Sequence, residues 1–527
     1  MSESHRTVDG LGLEELRVVV VKLLEVNAVL KAEIVALREE IARLKGLKGR
    51  PQLKPSGMEQ ASERKAHTRC QPGRRGSSRA KLKLTETKIV EAGTVPADAQ
   101  FKGYEDYLVQ DLIVRPVSVL YRRERWRLSD GTALVAPLPD GITSHFGPEL
   151  KRFVLAQYHQ GQTTMPRLLG LLQDLGLNLS KRQLVRLLTG EAHNVFLAEA
   201  RDVLRAGLQT ASWLTVDDTG ARHQAQNGVC TQIGNDMFTS FATTGSKSRL
   251  NFLEVLNAGD ATHRINDAGL AYMRERQLPG HVIGLIKTSA GTVFESRAAF
   301  LAHLDKLGIT KLKVHPDPVR IATEGALWGN IIARGLLKDT VIVSDGAGQF
   351  DVGAHALCWV HAERLVHKLD AFSADRLEAK EAIRARIWDF YNGLKAYALN
   401  PAPGARAELA RRFDTIFTTS TCFPTLNGLL KRLNARKSEL LAVLERPDVP
   451  LHTNGSENDI RTHVTRRKVS GGTRSDRGRD CRDAFLGLMK TCSKQGIRFW
   501  DYLGARRKVQ GATNVPRLAD LIRPAPA

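Results

Sequence analysis

The chain has 527 residues, 78 Lys plus Arg against 56 acids for a formal net charge of +22, and 42% hydrophobic content. That length exceeds one ordinary core and predicts several modules, each with enough apolar residues to bury. The positive excess favours a polyanionic partner, nucleic acid first, over a basic membrane-surface protein, which would need a lipid anchor or a cationic amphipathic helix that the sequence does not offer.

From the N-terminus, MSESHRTVDG lacks a signal-peptide core, and no apolar run reaches membrane-spanning length. A cytoplasmic protein with no membrane partner is expected, nucleoid-associated when bound to DNA. The six cysteines, at 70, 230, 358, 422, 481 and 492, form no Cys-x-x-Cys pair, which fits a reducing compartment.

Residues 11–47 carry an unbroken heptad. Leu16, Leu23, Leu30, Leu37 and Leu44 recur every seven residues, with Leu13, Val20, Asn27, Ile34 and Ile41 three before each. Leucine at d, β-branched residues at most a positions and one Asn at a predict a parallel coiled coil, hence a homodimer or higher assembly. Residues 48–88, rich in Lys, Arg, Gly and Ser, read as a flexible basic linker. Within it, KGRP places Arg50 between Gly and Pro, where it can lie flat in a narrow minor groove. Those four residues read equally as plain solvated linker.

Residues 89–145 alternate in short β-like runs, DLIVRPVSVLYRRERWRL and TALVAPLP, and predict a small β-rich module. From 146 to 192 the pattern turns helical. Ser180 can cap the segment SKRQLVRLL with Gln183 as a capping box. Helix, Gly-containing turn and capped basic helix predict a helix-turn-helix, with Lys181, Arg182 and Arg186 facing DNA. An ordinary helical hairpin is the other reading.

A core is expected over 205–370. SWLTVDDTGARH is a strand ending in Asp217 and Asp218, and DTVIVSDGAGQF is a buried strand ending at Asp345. Residues 371–450 read as mostly helical. The last block, 451–510, opens with LHTNGSENDIRTHVTRRK, where Glu457 and Asp459 stand among Arg461, Arg466, Arg467 and Lys468. Acids at the ends of neighbouring strands and a third on a later helix can converge into a cage of hard oxygens that suits Mg²⁺, or Mn²⁺. Two such ions can carry phosphodiester chemistry. The arginines after Glu457 would then hold DNA backbone. Each acid also has a plainer reading: Asp-Asp-Thr-Gly and Ser-Asp-Gly are turn sequences, and Asn454-x-x-Glu457 is a capping box.

The chain resembles the DDE transposases of bacterial insertion-sequence family sixty-six. The resemblance covers most of 10–505. It rests on the zipper, HFGPELKRFVLAQYHQGQTTMPRLLGLLQDLGLNLSKRQL, VDDTGAR, SDGAGQF with LCWVHAERL, and TNGSENDIRTHVTRRKVSGGTRSDRGRDCRDAFLGLMKTCSKQGIRFWDYL. In the last block Asn454, Glu457, Arg461, Arg467-Lys468, Ser475-Asp476 and Tyr502-Leu503 occupy the family's positions. The resemblance implies an RNase H-like core with Asp217, Asp345 and Glu457 as metal triad. Asp217 is preferred because Asp218 stands where the family has Glu, and alternation along a strand lets only one of the two face the site. The family's cysteine zinc module is missing, so 89–145 is expected to be its metal-free remnant. The long interval from Asp217 to Asp345 implies an insertion near 255–335.

His355, Cys358 and His361 lack a fourth zinc ligand, so zinc is not expected there. No phosphate loop occurs, so ATP is not expected. The fold class expected is multidomain α+β: coiled coil, helix-turn-helix and an RNase H-like mixed α/β core with insertions. The function expected is a DNA transposase that cuts and joins element ends, with double-stranded DNA as partner and helper proteins implied by the family. The alternatives are a catalytically silent DNA-binding repressor and a structure-selective nuclease on the same fold.

Overall fold

The computed structural model describes residues 84–523, apart from 95, 97, 141 and 143. The heptad at 11–47 and Arg50 lie outside the described residues. Between 84 and 147 the regular structure is one hairpin, β1 (Arg125–Arg127) and β2 (Ala133–Val135), with Trp126 opposite Leu134. Leu112, Ile113 and Val119 lie in runs that alternate like strands, yet they are exposed and outside any strand. Alternation yields a strand only where a neighbouring strand and a covered face exist, and this stretch has neither.

Four helices follow: α1 (Pro148–Leu155), which continues as a π turn over Ala156–Gln160, then α2 (Met165–Asp174), α3 (Lys181–Thr189) and α4 (Asn194–Thr210). The capping box starts α3: the Ser180 hydroxyl accepts from the Gln183 N–H, and the Gln183 side chain accepts from the Ser180 N–H. Leu168, Leu172, Leu184 and Leu188 turn into the main core. Lys181, Arg182 and Arg186 face outward.

A five-stranded mixed sheet forms the centre. β3 (Trp213–His223), β4 (Gln226–Gly234) and β5 (Thr239–Thr244) make an antiparallel meander. The chain then runs through α5 (Arg249–Leu256), β6 (His263–Arg264), α6 (Asp267–Glu275), α7 (Gly280–Lys287), β7 (Val293–Phe294), α8 (Arg297–Lys306) and α9 (Pro318–Ala333). It returns as β8 (Val341–Ser344) and β9 (Ala354–Leu357), giving the order β5-β4-β3-β8-β9 with β3, β8 and β9 parallel. The segment between β5 and β8 has a core of its own, including Ile265, Met273, Ile286, Phe300 and Leu304. Leu327 and Ile331 on α9 reach the main core and tie the two together.

After β9 come α10 (Trp359–His367), α11 (Ala374–Leu399), α12 (Ala405–Phe417), α13 (Pro424–Asn434), α14 (Lys437–Leu440) and α15 (Ala442–Glu445). The fully buried Trp359 ring packs among Phe390, Phe413 and Phe417. The chain closes with α16 (Asn454–Ser470), α17 (Asp476–Lys494), α18 (Phe499–Arg506) and α19 (Leu518–Ile522). Tyr502 and Arg506 on α18 both donate to the buried Glu199 carboxylate of α4, at 2.9 and 2.7 Å.

Two helices finish the sheet. On α16, Ser456, Asp459 and His463 fall on one face at helical spacing. Ser456 donates to the Thr215 hydroxyl at 2.7 Å. Asp459 accepts from Thr239 at 2.5 Å and pairs with Lys494 at 2.8 Å. One acid of the basic segment is therefore an internal anchor. α17 covers the edge strand β5, whose outward N–H groups would otherwise lack partners. The Thr243 N–H donates to Asp483 at 2.8 Å and the Thr239 N–H to Thr491 at 3.1 Å. A Cβ at Gly487 would stand 2.9 Å from the Thr239 carbonyl oxygen, so only glycine lets α17 come this close.

Gly487→Ala is expected to destabilise the protein by about 1–3 kcal/mol through this backbone clash. Gly284→Ala, inside α7 with open space around it, is expected to stabilise by about 0.5–1 kcal/mol. Chemical denaturation of both variants checks the contrast. A harmless Gly487→Ala would mean that α17 does not press on β5.

Candidate active site

Parallel pairing of β3 with β8 sets Thr215 beside Val343. Two residues further along each strand, the same register brings Asp217 to Asp345, just where β8 has ended. Thr215 and Asp217 share a face of the sheet. That face carries α16, because Thr215 meets Ser456. Glu457, the next residue, lies in the first turn of α16. Asp218 turns to the opposite face, where the Lys247 ammonium pairs with it and Gln349 donates to it at 2.6 Å.

The Asp217 carboxylate accepts from the Asp218 N–H at 2.7 Å. Burial pushes its pKa up to about 7, and the charges of Asp345 and Asp218 push the same way, against the pull of that N–H and of Lys247. Desolvation and like charge both disfavour a second anion here. The Lys247 ammonium is held above its ordinary pKa by its bond to Asp218, and Asp345 and Asp217 reinforce the effect.

Asp345 is exposed, and its carboxylate accepts from the Ala347 N–H at 2.9 Å. The turn that presents it is braced from behind. The Ser344 hydroxyl accepts from the Gly346 N–H at 3.0 Å and bonds His355 Nε2 at 2.8 Å, and His355 Nδ1 meets Glu439 at 2.7 Å. Arg436 joins Glu439 to the Gly346 carbonyl, with Nη2 2.7 Å from Glu439 and Nη1 3.4 Å from Gly346 O. Burial alone would raise the Glu439 pKa, but the His355 and Arg436 bonds outweigh it and hold it at about 2. Serine, histidine and glutamate in a hydrogen-bonded row resemble a nucleophile relay. Ser344 is fully buried, so the row holds the turn and faces no substrate.

The Glu457 carboxylate lies 3.6 Å from His361 Nε2 and 3.8 Å from Arg364 Nη2, both on α10. Asp217 and Asp345 therefore meet where β8 ends, with Glu457 on the covering helix beside two basic side chains. Asp217 lies midway along β3, which runs on past it to His223 and does not end at the two acids as its sequence suggested. Among the described residues, the ligand atoms of Asp351, His355 and Glu439, and those of Cys230, His463 and Asp483, lie within 4.8 Å of one another. Asp217, Asp345 and Glu457 do not form such a group. Of the sequence cluster at 355–361, His355 is bonded on both ring nitrogens, Cys358 is buried in the core and His361 faces Glu457.

The basic residues divide. Arg461 and Lys468 are exposed, with Arg461 donating to Asn458 at 2.7 Å. Arg467 donates to the Gly220 carbonyl of β3. Arg466, expected at the DNA, is instead buried. Its guanidinium lies 3.9 Å over the Tyr158 ring and donates to the Tyr158 and Thr163 carbonyls at 2.7 and 3.4 Å. Two backbone carbonyls and the face of one ring receive that cation in place of water. Sequence reasoning missed Lys247, Gln349 and Arg364. Gln349 and Arg364 stood inside quoted motifs, but Lys247 sits in a Gly-Ser turn with no local signal.

The sequence model described as Transposase IS66 family matches residues 329–480, which span β8 to α17 and include Asp345 and Glu457. A relative from Sinorhizobium fredii, "Uncharacterized protein y4jO", is 48% identical over 317 residues, 60% of this chain and 98% of that protein.

Because the folded Asp217 keeps its proton to about pH 7, the unfolded chain releases it first, and the charged form costs stability as pH rises. Asp217→Asn is expected to stabilise the metal-free protein by about 2–4 kcal/mol at pH 8, with a gain that shrinks to nothing near pH 4. Thermal unfolding across that range in the presence of chelator checks it. A variant equally or less stable at pH 8 would mean that the carboxylate is not desolvated.

Proposed function

The chain belongs to the IS66 transposase family, and we propose that it cuts the ends of an insertion element and joins them to target DNA. The observation that carries this reading is Asp217 beside Asp345 on adjacent parallel strands, with Glu457 on the helix that covers the same face. The meander followed by two parallel strands, in the order β5-β4-β3-β8-β9, supports reading the core as RNase H-like.

The donor set fits a hard divalent ion. All three side chains offer oxygen only, and a site that leaves Asp217 protonated to about pH 7 lacks positive charge. Asp217, Asp345 and Glu457 would hold Mg²⁺ or Mn²⁺, two ions in the full reading. When bound, these supply activation of the attacking oxygen and stabilisation of the leaving one in phosphodiester hydrolysis and transesterification.

The protein's own groups do the rest. Gln349 and Lys247 occupy Asp218 and keep it from competing for the site. The Ser344–His355–Glu439 row fixes the height of Asp345. His361 and Arg364 hold Glu457 and offer positive charge to a backbone phosphate. Arg461, Lys468 and the outward Lys181, Arg182 and Arg186 carry DNA backbone, with 146–192 as helix-turn-helix and Arg50 in the minor groove. The heptad leucines with Asn27 pair subunits. The working division stays 205–370 for the core, 371–450 for the helical insertion and 451–510 for the catalytic helix and basic region.

One observation favours a second reading, a DNA-binding protein without chemistry: Glu457 is engaged by His361 and Arg364.

On DNA carrying the element's own ends, the wild type with Mg²⁺ or Mn²⁺ is expected to nick and join. Asp345→Ala and Glu457→Ala are expected to lower cutting by about a thousand-fold, the scale of losing a principal electrostatic stabiliser, while binding persists. Cutting without joining would point to a nuclease. Specific binding with no metal-dependent cutting in wild type would leave the repressor, with Glu457 a partner of His361 and Arg364. The capping box its sequence suggested is not formed, since Thr453 is the N-cap and no side chain caps the helix.

A further inference from the structure

On the same face of the sheet as Asp217, beneath α16, three side chains from three elements meet in the interior: Cys230 on β4, His463 on α16 and Asp483 on α17. Cys230 is 0% exposed, His463 1% and Asp483 5%. Their ligand atoms all lie within 4.8 Å of one another. Ala221, Phe241, Ile460 and Leu486 pack in the same small cluster as Cys230, while Arg482 and Thr243 line the Asp483 side.

His463 is the anomaly. Neither ring nitrogen has a hydrogen-bond partner. A neutral imidazole always carries one N–H and one lone pair, so a dry core that satisfies neither leaves both uncompensated. Such a group in a folded interior calls for a water or an ion. Asp483 is only partly used: one oxygen accepts from the Thr243 N–H at 2.8 Å and the other from Arg482 Nε at 2.9 Å. Oδ1 also lies 2.8 Å from Arg482 Nη2, so Oδ2 is the oxygen that keeps a second lone pair. Arg482 is anchored sideways as well, donating to the Thr243 hydroxyl at 2.6 Å.

From this convergence we infer that Cys230, His463 and Asp483 bind a borderline-soft divalent ion of the zinc class, which staples α16 and α17 to the sheet. Thiolate, imidazole and carboxylate together suit Zn²⁺, whereas Mg²⁺ does not choose sulfur. On binding, the thiol proton leaves for solvent; counting the Arg482 guanidinium already paired with Asp483, the loaded site carries one net positive charge. A lone pair on one His463 nitrogen becomes a ligand, which removes half of the anomaly at once. The protein supplies three of four tetrahedral positions and leaves the fourth to water. The site has a structural consequence: Glu457 and His463 share α16, so the ion fixes the helix that presents Glu457. The inference rests on buried donors and stands whether or not the chain cuts DNA.

The test uses the full chain, purified without a metal-chelating tag, with metal content measured by mass spectrometry. About one zinc per chain is expected in wild type. Cys230→Ser and His463→Gln should lose most of it, while Cys70→Ser keeps it. Should the two core variants fold poorly, the wild type alone decides. Chelator-stripped protein should gain thermal stability from Zn²⁺ and not from Mg²⁺, and Co²⁺ should give a near-ultraviolet thiolate-to-metal band. Wild type with no bound zinc and no such band would overturn the site and leave His463 hydrated by water. Zinc lost in Cys70→Ser but kept in Cys230→Ser would overturn it too.

Discussion

Everything at the candidate site depends on one docking, that of α16 on β3 and β4. The helix carries few apolar residues, so hydrophobic burial alone does not fix its register. Polar contacts do. Ser456 meets Thr215, and Asp459 is held by Thr239 and Lys494. Arg466 clamps the far end to the carbonyls of Tyr158 and Thr163. A buried polar pair tolerates only its own geometry, because a slip of one residue strands a carboxylate or guanidinium without partners. Glu457 inherits its place from that intolerance.

The same interior explains the charge balance around the acids. Asp217 and Asp345 come together because β3 and β8 are parallel neighbours. The nearby Lys247 is committed to Asp218, while His361 and Arg364 attend Glu457. Positive charge is thus placed around the pair without entering it. The raised Asp217 pKa is the trace of that arrangement. A fold selected for stability alone would have no reason to keep a desolvated carboxylate midway along its central strand.

Local patterns made much of this legible. SDGAG announced a strand end, because a run of buried β-branched residues followed by Asp and Gly has few other readings. VDDTG read the same way, yet that strand runs on to His223. Ser180 and Gln183 announced the start of α3. What the pattern could not carry was partnership across the chain. Arg466 and Lys468 look alike in sequence, yet one reaches the carbonyl of Tyr158 and the other faces solvent. The runs at 89–145 alternate as strands do, but nothing in a run states whether a neighbour will cover it. Cys230, His463 and Asp483 share no spacing motif, because three elements supply one ligand each.

The basic C-terminal block therefore does two kinds of work with similar residues. Tyr502 is buried with its hydroxyl on Glu199, and Arg506 binds the same carboxylate. Arg477 reaches back to the Thr189 and Gly190 carbonyls at the end of α3. These contacts pull the helices before the sheet against those after it. A chain that presents its third acid so late must close the core around that acid, and long cations suit the task because one guanidinium can satisfy several distant carbonyls. Part of the net positive charge is accordingly consumed inside the fold, and the charge left for DNA is smaller than composition suggests. Exposed Lys181, Arg182, Arg186, Arg461 and Lys468 are what remains on the described surface of the sites expected at DNA.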